Sequence, residues 1–242
     1  MSGIEWAIVL LLLATLAWMA PRLLMFFGRH NGADWGNAWL NCLDGVNRLF
    51  CRVYHRLEPV CVSLPERGGA VVVANHISGL DPLLILASCG RPLRFVIARE
   101  QYDRWWLRWL FKALRLIPVD RDKRPEKALY AARAALADGD VVAIFPQGRI
   151  QSPQRPPAPL KAGAVFLASL AGTPIVPLRV EGVRGKGLVL LAILLRSRAR
   201  VQPGKWLTCE RDQISDCLYE LDQFLRGASS ARQETTARRS ST

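Results

Sequence analysis

Histidine is scarce in this chain: three residues in 242, His30, His55 and His76. Its six cysteines (Cys42, Cys51, Cys61, Cys89, Cys209 and Cys217) form no CxxC pair and no His/Cys cluster at ligand spacing. A structural metal is therefore not expected. Several of these cysteines sit in apolar segments, where the side chain behaves as a small hydrophobe. Thiols without a pairing pattern point to a reducing compartment. Acidic residues are also in deficit. Twenty Asp and Glu against 33 Lys and Arg leave a formal charge of +13. A chain this basic and half hydrophobic suits nucleic acid or an anionic membrane surface. No RNA- or DNA-binding pattern is present, so the membrane is favoured. No internal repeat is visible.

An unbroken apolar run of spanning length is missing too. The run Trp6 to Ala20 has 15 residues, short of the roughly 20 that cross a bilayer untilted. Leu23 to Phe27 extend it beyond Pro21-Arg22, with a kink expected at the proline. No basic region precedes the run, which disfavours a cleaved signal peptide. A single membrane-spanning anchor is the first reading. A re-entrant or half-inserted helix pair is the second, because residues 33–57 pattern as one further amphipathic helix with Trp35 and Trp39 near its start. Those tryptophans suit a core equally well. Arg22, Arg29, Arg48 and Arg52 follow the apolar segment, and only Glu5 precedes it. The positive-inside rule then places the bulk of the chain on the cytoplasmic side of the inner membrane.

What is present from residue 58 onward is alternation. Short apolar runs at 59–64, 70–74, 94–98, 117–119, 141–145 and 175–180 read as strands. Helical patterns at 82–88, 104–114, 124–137, 161–171 and 211–225 lie between and after them. This predicts an α/β fold: one layered domain, residues 58–226, with a central mostly parallel sheet flanked by helices. Residues 1–57 would be the anchor and amphipathic helix. Residues 227–242 are small, polar and basic and read as a disordered tail. The stretch DRWWLRWLFKALRL, 103–116, interleaves tryptophan with arginine and lysine. It fits a lipid interface or a core-facing helix with a solvated basic side. GLVLLAILL, 187–195, fits a buried strand or a lipid contact.

The chemistry concentrates at strand ends, where reactive groups of α/β domains collect. VVVANHISGLDP places His76 just past a buried strand and Asp81 five residues on. Histidine suits general-base work near neutral pH, and a carboxylate on one ring nitrogen fixes its tautomer. A tight turn through Gly79 would let Asp81 fold back on His76. Asp81 before Pro82 also reads as a helix N-cap, and a histidine after a strand is often structural. Further on, LIPVDR ends in Arg121, AIFPQGR ends in Arg149, and Lys161-Ala162-Gly163 opens a helix, which favours an anion. Arginines at strand ends suit a phosphate.

These blocks resemble the glycerolipid acyltransferases related to 1-acylglycerol-3-phosphate acyltransferase. The family's NHxxxxD block is Asn75-His76 to Asp81. Its second block is IPVDR with Arg121, and its third, usually FPEGTR, is here Phe145-Pro146-Gln147-Gly148-Arg149. Its fourth is Ile175-Val176-Pro177-Leu178. FPQGRI is also similar to the FPEGRI of the acyltransferase portion of 2-acylglycerophosphoethanolamine acyltransferases. The resemblance covers roughly residues 58–182. It implies transfer of an acyl group from acyl-CoA or acyl carrier protein to the free hydroxyl of a lysophospholipid, 1-acylglycerol-3-phosphate above all, with no cofactor and no metal. His76 would be the base and Asp81 its orienting group. Arg121, Gln147, Gly148, Arg149 and Lys161 would bind substrate. Two departures stand out. Gln147 replaces a glutamate, and Arg149 falls one place early. A catalytically weak relative that binds anionic lipid as a scaffold is the other reading, against which the intact His76–Asp81 pair speaks.

Overall fold

The computed structural model describes residues 3–120, 123 and 125–227. Arg121 and the tail beyond Gly227 lie outside the described residues. The apolar runs build one six-stranded sheet from β1 (Ala70–Ala74), β2 (Leu93–Ala98), β3 (Ile117–Val119), β4 (Val141–Ile144), β5 (Ile175–Glu181) and β6 (Arg200–Pro203). Their order is β3-β2-β4-β1-β5-β6. All neighbours are parallel except β5 and β6. Along the chain run α1 (Gly3–Gly28), α2 (Ala38–Leu49), α3 (Asp81–Ser88), α4 (Arg99–Tyr102), α5 (Arg108–Ala113), α6 (Pro125–Ala137), α7 (Gly163–Ala171), α8 (Leu190–Leu194) and α9 (Ile214–Arg226).

A parallel sheet covered on both faces needs strands that are apolar throughout, and all five residues of β1 are buried. Successive side chains point to opposite faces. Val72 and Ala74 therefore join Phe95, Ala143, Val176 and Leu178 in one core, with Leu84 and Ile85 of α3. Val71 and Val73 join Val142 and Ile175 in the other, with side chains of α6, α7 and α9. β1 and β4 lie side by side in the middle of the sheet, in register from Ala70↔Val141 to Val73↔Ile144. Their carboxyl ends open at the same rim.

The sequence pattern located β1 and β3 to the residue, and β2, β4 and β5 to within one. Residues 59–64 make only an isolated bridge, Val62 to Cys89. Pro59 and Pro65 flank the segment, and proline cannot donate to a ladder. β6 is an edge strand with one fully buried residue, Val201, and so carries little apolar signal. The helix expected at 104–114 is an α-helix only over α5, residues 108–113, and Arg115 (φ 54°) follows its end; α4 lies before the expected stretch. Trp105, Trp106 and Trp109 stand exposed along this stretch, so no core enforces a longer helix. Residues 187–195 are a loop and α8 rather than a strand. The helix expected over 33–57 begins only at Ala38. Asn37 Oδ1 accepts from Trp39 N (2.9 Å) and Leu40 N (3.4 Å), the N-cap arrangement. The helix then widens into a π turn at Phe50–Tyr54.

Two further expectations change. Cys209 and Cys217 are joined as a disulfide, Cα atoms 6.2 Å apart. The eight-residue separation matches no motif, so the pattern that suggested a reducing compartment missed the pair. Arg48, counted among the positive charges that follow the apolar segment, is buried. Its Nε donates to Asp44 (2.7 Å), and its terminal nitrogens donate to the carbonyls of Ala87 (2.8 Å) and Cys89 (2.5 Å). It thereby ties α2 to the carbonyl end of α3.

α1 runs unbroken through Pro21. Among the described residues, no helix is long and apolar enough to cross a membrane. Ile4, Trp6, Leu10, Leu11, Trp18 and Phe26 of α1 are nonetheless exposed. α1 packs closely on α2, where Gly45 lies so near the Phe27 carbonyl that a Cβ would fall 1.8 Å from its oxygen. Trp39 of α2 meets Trp109 of α5, ring centroids 5.3 Å apart. Leu190, Leu191 and Leu194 of α8 are exposed as well.

Candidate active site

At the end of β1 the chain turns back on itself. His76 Nδ1 lies 2.9 Å from Asp81 Oδ2. The same oxygen accepts the N–H groups of Ile77 (2.6 Å) and Ser78 (2.8 Å), and Oδ1 accepts the Ser78 hydroxyl (2.6 Å). Asp81 is wholly buried, while His76 retains 17% of its side-chain exposure. A buried carboxylate is tolerable when donors surround it, and four do here. With Asp81 accepting, Nδ1 carries the ring proton and Nε2 carries the lone pair of a base. Asp81 is not the N-cap of α3. That position falls to Leu80, which has no side-chain cap, and the Asp81 carboxylate reaches backward into the turn.

Gly79 serves differently from the expectation as well. It is absent from the left-handed glycines. A Cβ there would lie 2.4 Å from the Val189 carbonyl oxygen. Gly79 N–H donates to Leu188 O (3.0 Å), so the glycine admits the backbone leading into α8 onto the turn.

Three residues complete the site without having been given a role in it from the sequence. Asn75 Nδ2 donates to Val180 O (2.9 Å), and its Oδ1 accepts Val180 N (2.7 Å). Ser78, fully buried, holds Asp81 and also accepts Leu80 N–H (3.2 Å). The Phe145 ring stacks on His76, centroids 4.1 Å apart and planes 15° from parallel. Asn75 and Ser78 are polar residues in an otherwise apolar strand-to-helix passage, and that was the available signal. Phe145 reads in sequence as the end of an apolar run and the start of the third block, with nothing to show its contact with His76.

Phe145 also opens the Phe145–Gly148 turn, closed by Gly148 N–H on Phe145 O (2.9 Å) with Gly148 at φ 70°. Lys161 N–H donates to Pro146 O (3.0 Å). Its ammonium lies 3.5 Å from where a Gly148 Cβ would be. Gln147, Gly148 and Lys161 are thus brought beside the His76–Asp81 pair. α7 starts immediately afterwards, with no side chain capping its first N–H groups. Arg149 is exposed next to the turn. Its guanidinium makes no ion pair among the described residues.

A histidine oriented by a buried carboxylate thus stands at the central rim of a parallel sheet, beside a turn that carries a lysine. The family model described as Acyltransferase matches residues 60–181, and this chain belongs to that acyltransferase family. It is 36% identical over 134 residues to the "Probable 1-acyl-sn-glycerol-3-phosphate acyltransferase" of Mycoplasma pneumoniae, a match covering 51% of this chain and 48% of that protein. It is 26% identical over 121 residues to the 1-acyl-sn-glycerol-3-phosphate acyltransferase of Bacillus subtilis, covering 50% of this chain and 59% of that one. The chain spans about half the length of the curated relatives it matches. Its fold is similar to the crystal structure of the 1-acyl-sn-glycerophosphate (LPA) acyltransferase, PlsC, from Thermotoga maritima. The TM-score is 0.60 at 17% identity, over 96% of this chain and 98% of that one.

Proposed function

We propose that this protein is an O-acyltransferase that moves a fatty acyl group from an acyl thioester to the free hydroxyl of 1-acylglycerol-3-phosphate or a close lysophospholipid. His76 Nε2 takes the hydroxyl proton. The resulting alkoxide attacks the thioester carbonyl, the carbon–sulfur bond breaks, and the imidazolium returns the proton to the leaving thiolate. Asp81 holds the ring and stabilises its charged form. Lys161, Arg149 and Arg121 neutralise the acceptor phosphate. Backbone N–H groups beside the Phe145–Gly148 turn are the donors for the oxyanion, since those of Ile77, Ser78, Gly79 and Leu80 are bonded within the protein. The observation that carries this reading is the 2.9 Å contact between His76 Nδ1 and fully buried Asp81, beside the Gly148–Lys161 turn. The names of the relatives support the acceptor class.

The same proposal places the protein on the cytoplasmic face of the inner membrane. α1, Trp39, the tryptophans at 105, 106 and 109, and α8 expose a series of large apolar side chains, the kind of surface that marks a membrane or partner contact. Arg104, Arg108, Lys112 and Arg115 lie among them and suit anionic headgroups.

The test supplies purified membranes with labelled acyl-CoA or acyl carrier protein and a panel of lysolipids. Transfer to lysophosphatidic acid that disappears in His76→Ala supports the proposal. Retention of anionic-lipid binding without transfer in the unmutated protein would replace it with the scaffold reading.

A further inference from the structure

Two phosphate-bearing molecules meet in the reaction proposed above. One is the acceptor, and the other is the donor, since CoA and acyl carrier protein both present the acyl chain on a phosphopantetheine arm. The cations proposed above, Lys161 and Arg149 among them, account for the first. A second cationic site lies beside the same catalytic segment.

This second site is a cavity of about 470 Å³ lined by Asn75, Ile77, Gln147, Ser152, Arg155 and Lys186, and closed by α9. Asn75 and Ile77 flank His76. The His76 ring itself is not part of the lining. Two loops carry the cations, and each is fastened to the catalytic segment. Gln151 N–H donates to His76 O (2.7 Å), and Gly187 N–H donates to Ile77 O (2.8 Å). The loops also touch one another: a Cβ on Gly187 would lie 3.3 Å from Ser152. Arg155 and Lys186 are exposed and make no ion pair among the described residues. The one carboxylate in the lining, Asp222, is bound by Arg226 Nε (2.6 Å). Gln147, which faces both sites, has an amide oxygen that accepts no hydrogen bond within the protein.

We infer that this cavity receives the phosphopantetheine arm of the acyl donor. Arg155 and Lys186 hold its phosphate. Gln147 meets an amide of the arm, and the thioester end lies toward His76. The inference rests on the acyl-transfer reading and assigns it a donor site separate from the acceptor's. It gives Gln147 a reason to be neutral: an amide can bond another amide without setting a negative charge beside an incoming phosphate.

Steady-state kinetics on the full-length protein test it, with palmitoyl-CoA and palmitoyl-carrier protein as separate donors and lysophosphatidic acid as acceptor. Arg155→Glu and Lys186→Glu are expected to raise the KM for both donors by about tenfold each, on the scale of one lost charge-assisted hydrogen bond. The acceptor KM should hold within about twofold, while Lys161→Ala should move the acceptor KM instead. Unchanged donor KM, or a shift confined to the acceptor, overturns the inference. So does a shift seen with CoA alone, which would indicate contacts to the nucleotide rather than to the shared arm. If the unmutated protein transfers no acyl group, the acyl-transfer reading falls. Calorimetric titration with CoA and with free 4′-phosphopantetheine then decides the site by itself. Binding that Arg155→Glu/Lys186→Glu abolishes supports it, and equal binding refutes it.

Discussion

The side chain of Asn75 extends the β1–β5 ladder by one step. The strands last pair at Ala74↔Leu178. As β1 leaves the sheet, the Asn75 amide takes up both the N–H and the C=O of Val180. The residue immediately before the catalytic histidine is therefore locked to the sheet through a side chain.

Asn75→Ala should leave two buried backbone groups of Val180 unsatisfied. The cost is about 1–3 kcal/mol for each such group, read as a lower midpoint in denaturant. Asn75→Asp keeps the acceptor for Val180 N–H but sets a carboxylate oxygen against Val180 O. It should be at least as destabilising, and kcat should fall with both changes because His76 loses its anchor. A stability equal to that of the unmutated protein in Asn75→Ala would show that the amide clamp is not needed.

Asp81→Asn probes charge rather than presence. The asparagine oxygen can take the place of Oδ2, still accepting from Ile77, Ser78 and His76 Nδ1, while its NH₂ takes the place of Oδ1 and faces the Ser78 hydroxyl. The ring keeps its tautomer, but the imidazolium formed when Nε2 takes a proton loses its carboxylate partner. The expected loss in kcat is roughly 10²–10⁴-fold, with KM for the acceptor little changed. A His76→Ala/Asp81→Asn double variant should be no worse than His76→Ala alone, since the carboxylate acts through the ring. Additive losses would mean that Asp81 contributes independently.

Gly79→Ala should separate the α8 approach from the catalytic turn. The new methyl would collide with backbone at Val189, 2.4 Å from its oxygen and 2.9 Å from its Cα. Backbone cannot step aside as a side-chain tip does. Loss of the Gly79–Leu188 hydrogen bond, reduced activity and faster protease cleavage near residues 185–195 are expected together. Unaltered cleavage with full activity would show that the loop can shift without consequence.

The sheet was legible because a doubly covered parallel strand must be apolar at every position, and VVVA, VVAI and IVPL stand out from their surroundings. β6 was not, because an edge strand needs few apolar residues. Nor was the late start of α5: the pattern of Trp and basic residues from 104 fits a helix, but Trp105 and Trp106 stand exposed with no core to hold one. At the site, His76 and Asp81 could be paired from spacing and resemblance. The roles of Asn75, Ser78 and Phe145 could not, since each depends on a contact with another element. The disulfide Cys209–Cys217 depended likewise on how the β6–α9 connection folds. Arg48 shows the opposite error. A basic residue after an apolar segment was counted as surface charge, and it is instead a buried cap for α3.

His55 supplies a pH dependence outside the catalytic pair. It is fully buried at the end of the π turn, between the edges of Phe50 and Tyr54. Nε2 bonds to Ile193 O in α8 at 3.1 Å, and Nδ1 has no partner. Burial pushes its pKa below the ordinary histidine value of 6.5, outweighing the bond to Ile193. The folded protein therefore resists a proton that the unfolded chain accepts. The contribution of the neutral ring to stability is complete above about pH 6.5 and is lost progressively as pH falls toward the folded value. His55→Gln keeps a donor for Ile193 O but cannot titrate. Thermal unfolding from about pH 7.5 to about pH 5.5 should show the unmutated protein losing its advantage over His55→Gln as the solution is acidified. The parallel loss should appear in activity, because Ile193 lies in α8, whose leading loop rests on Gly79. A stability difference constant across that range would mean that His55 does not titrate differentially on folding.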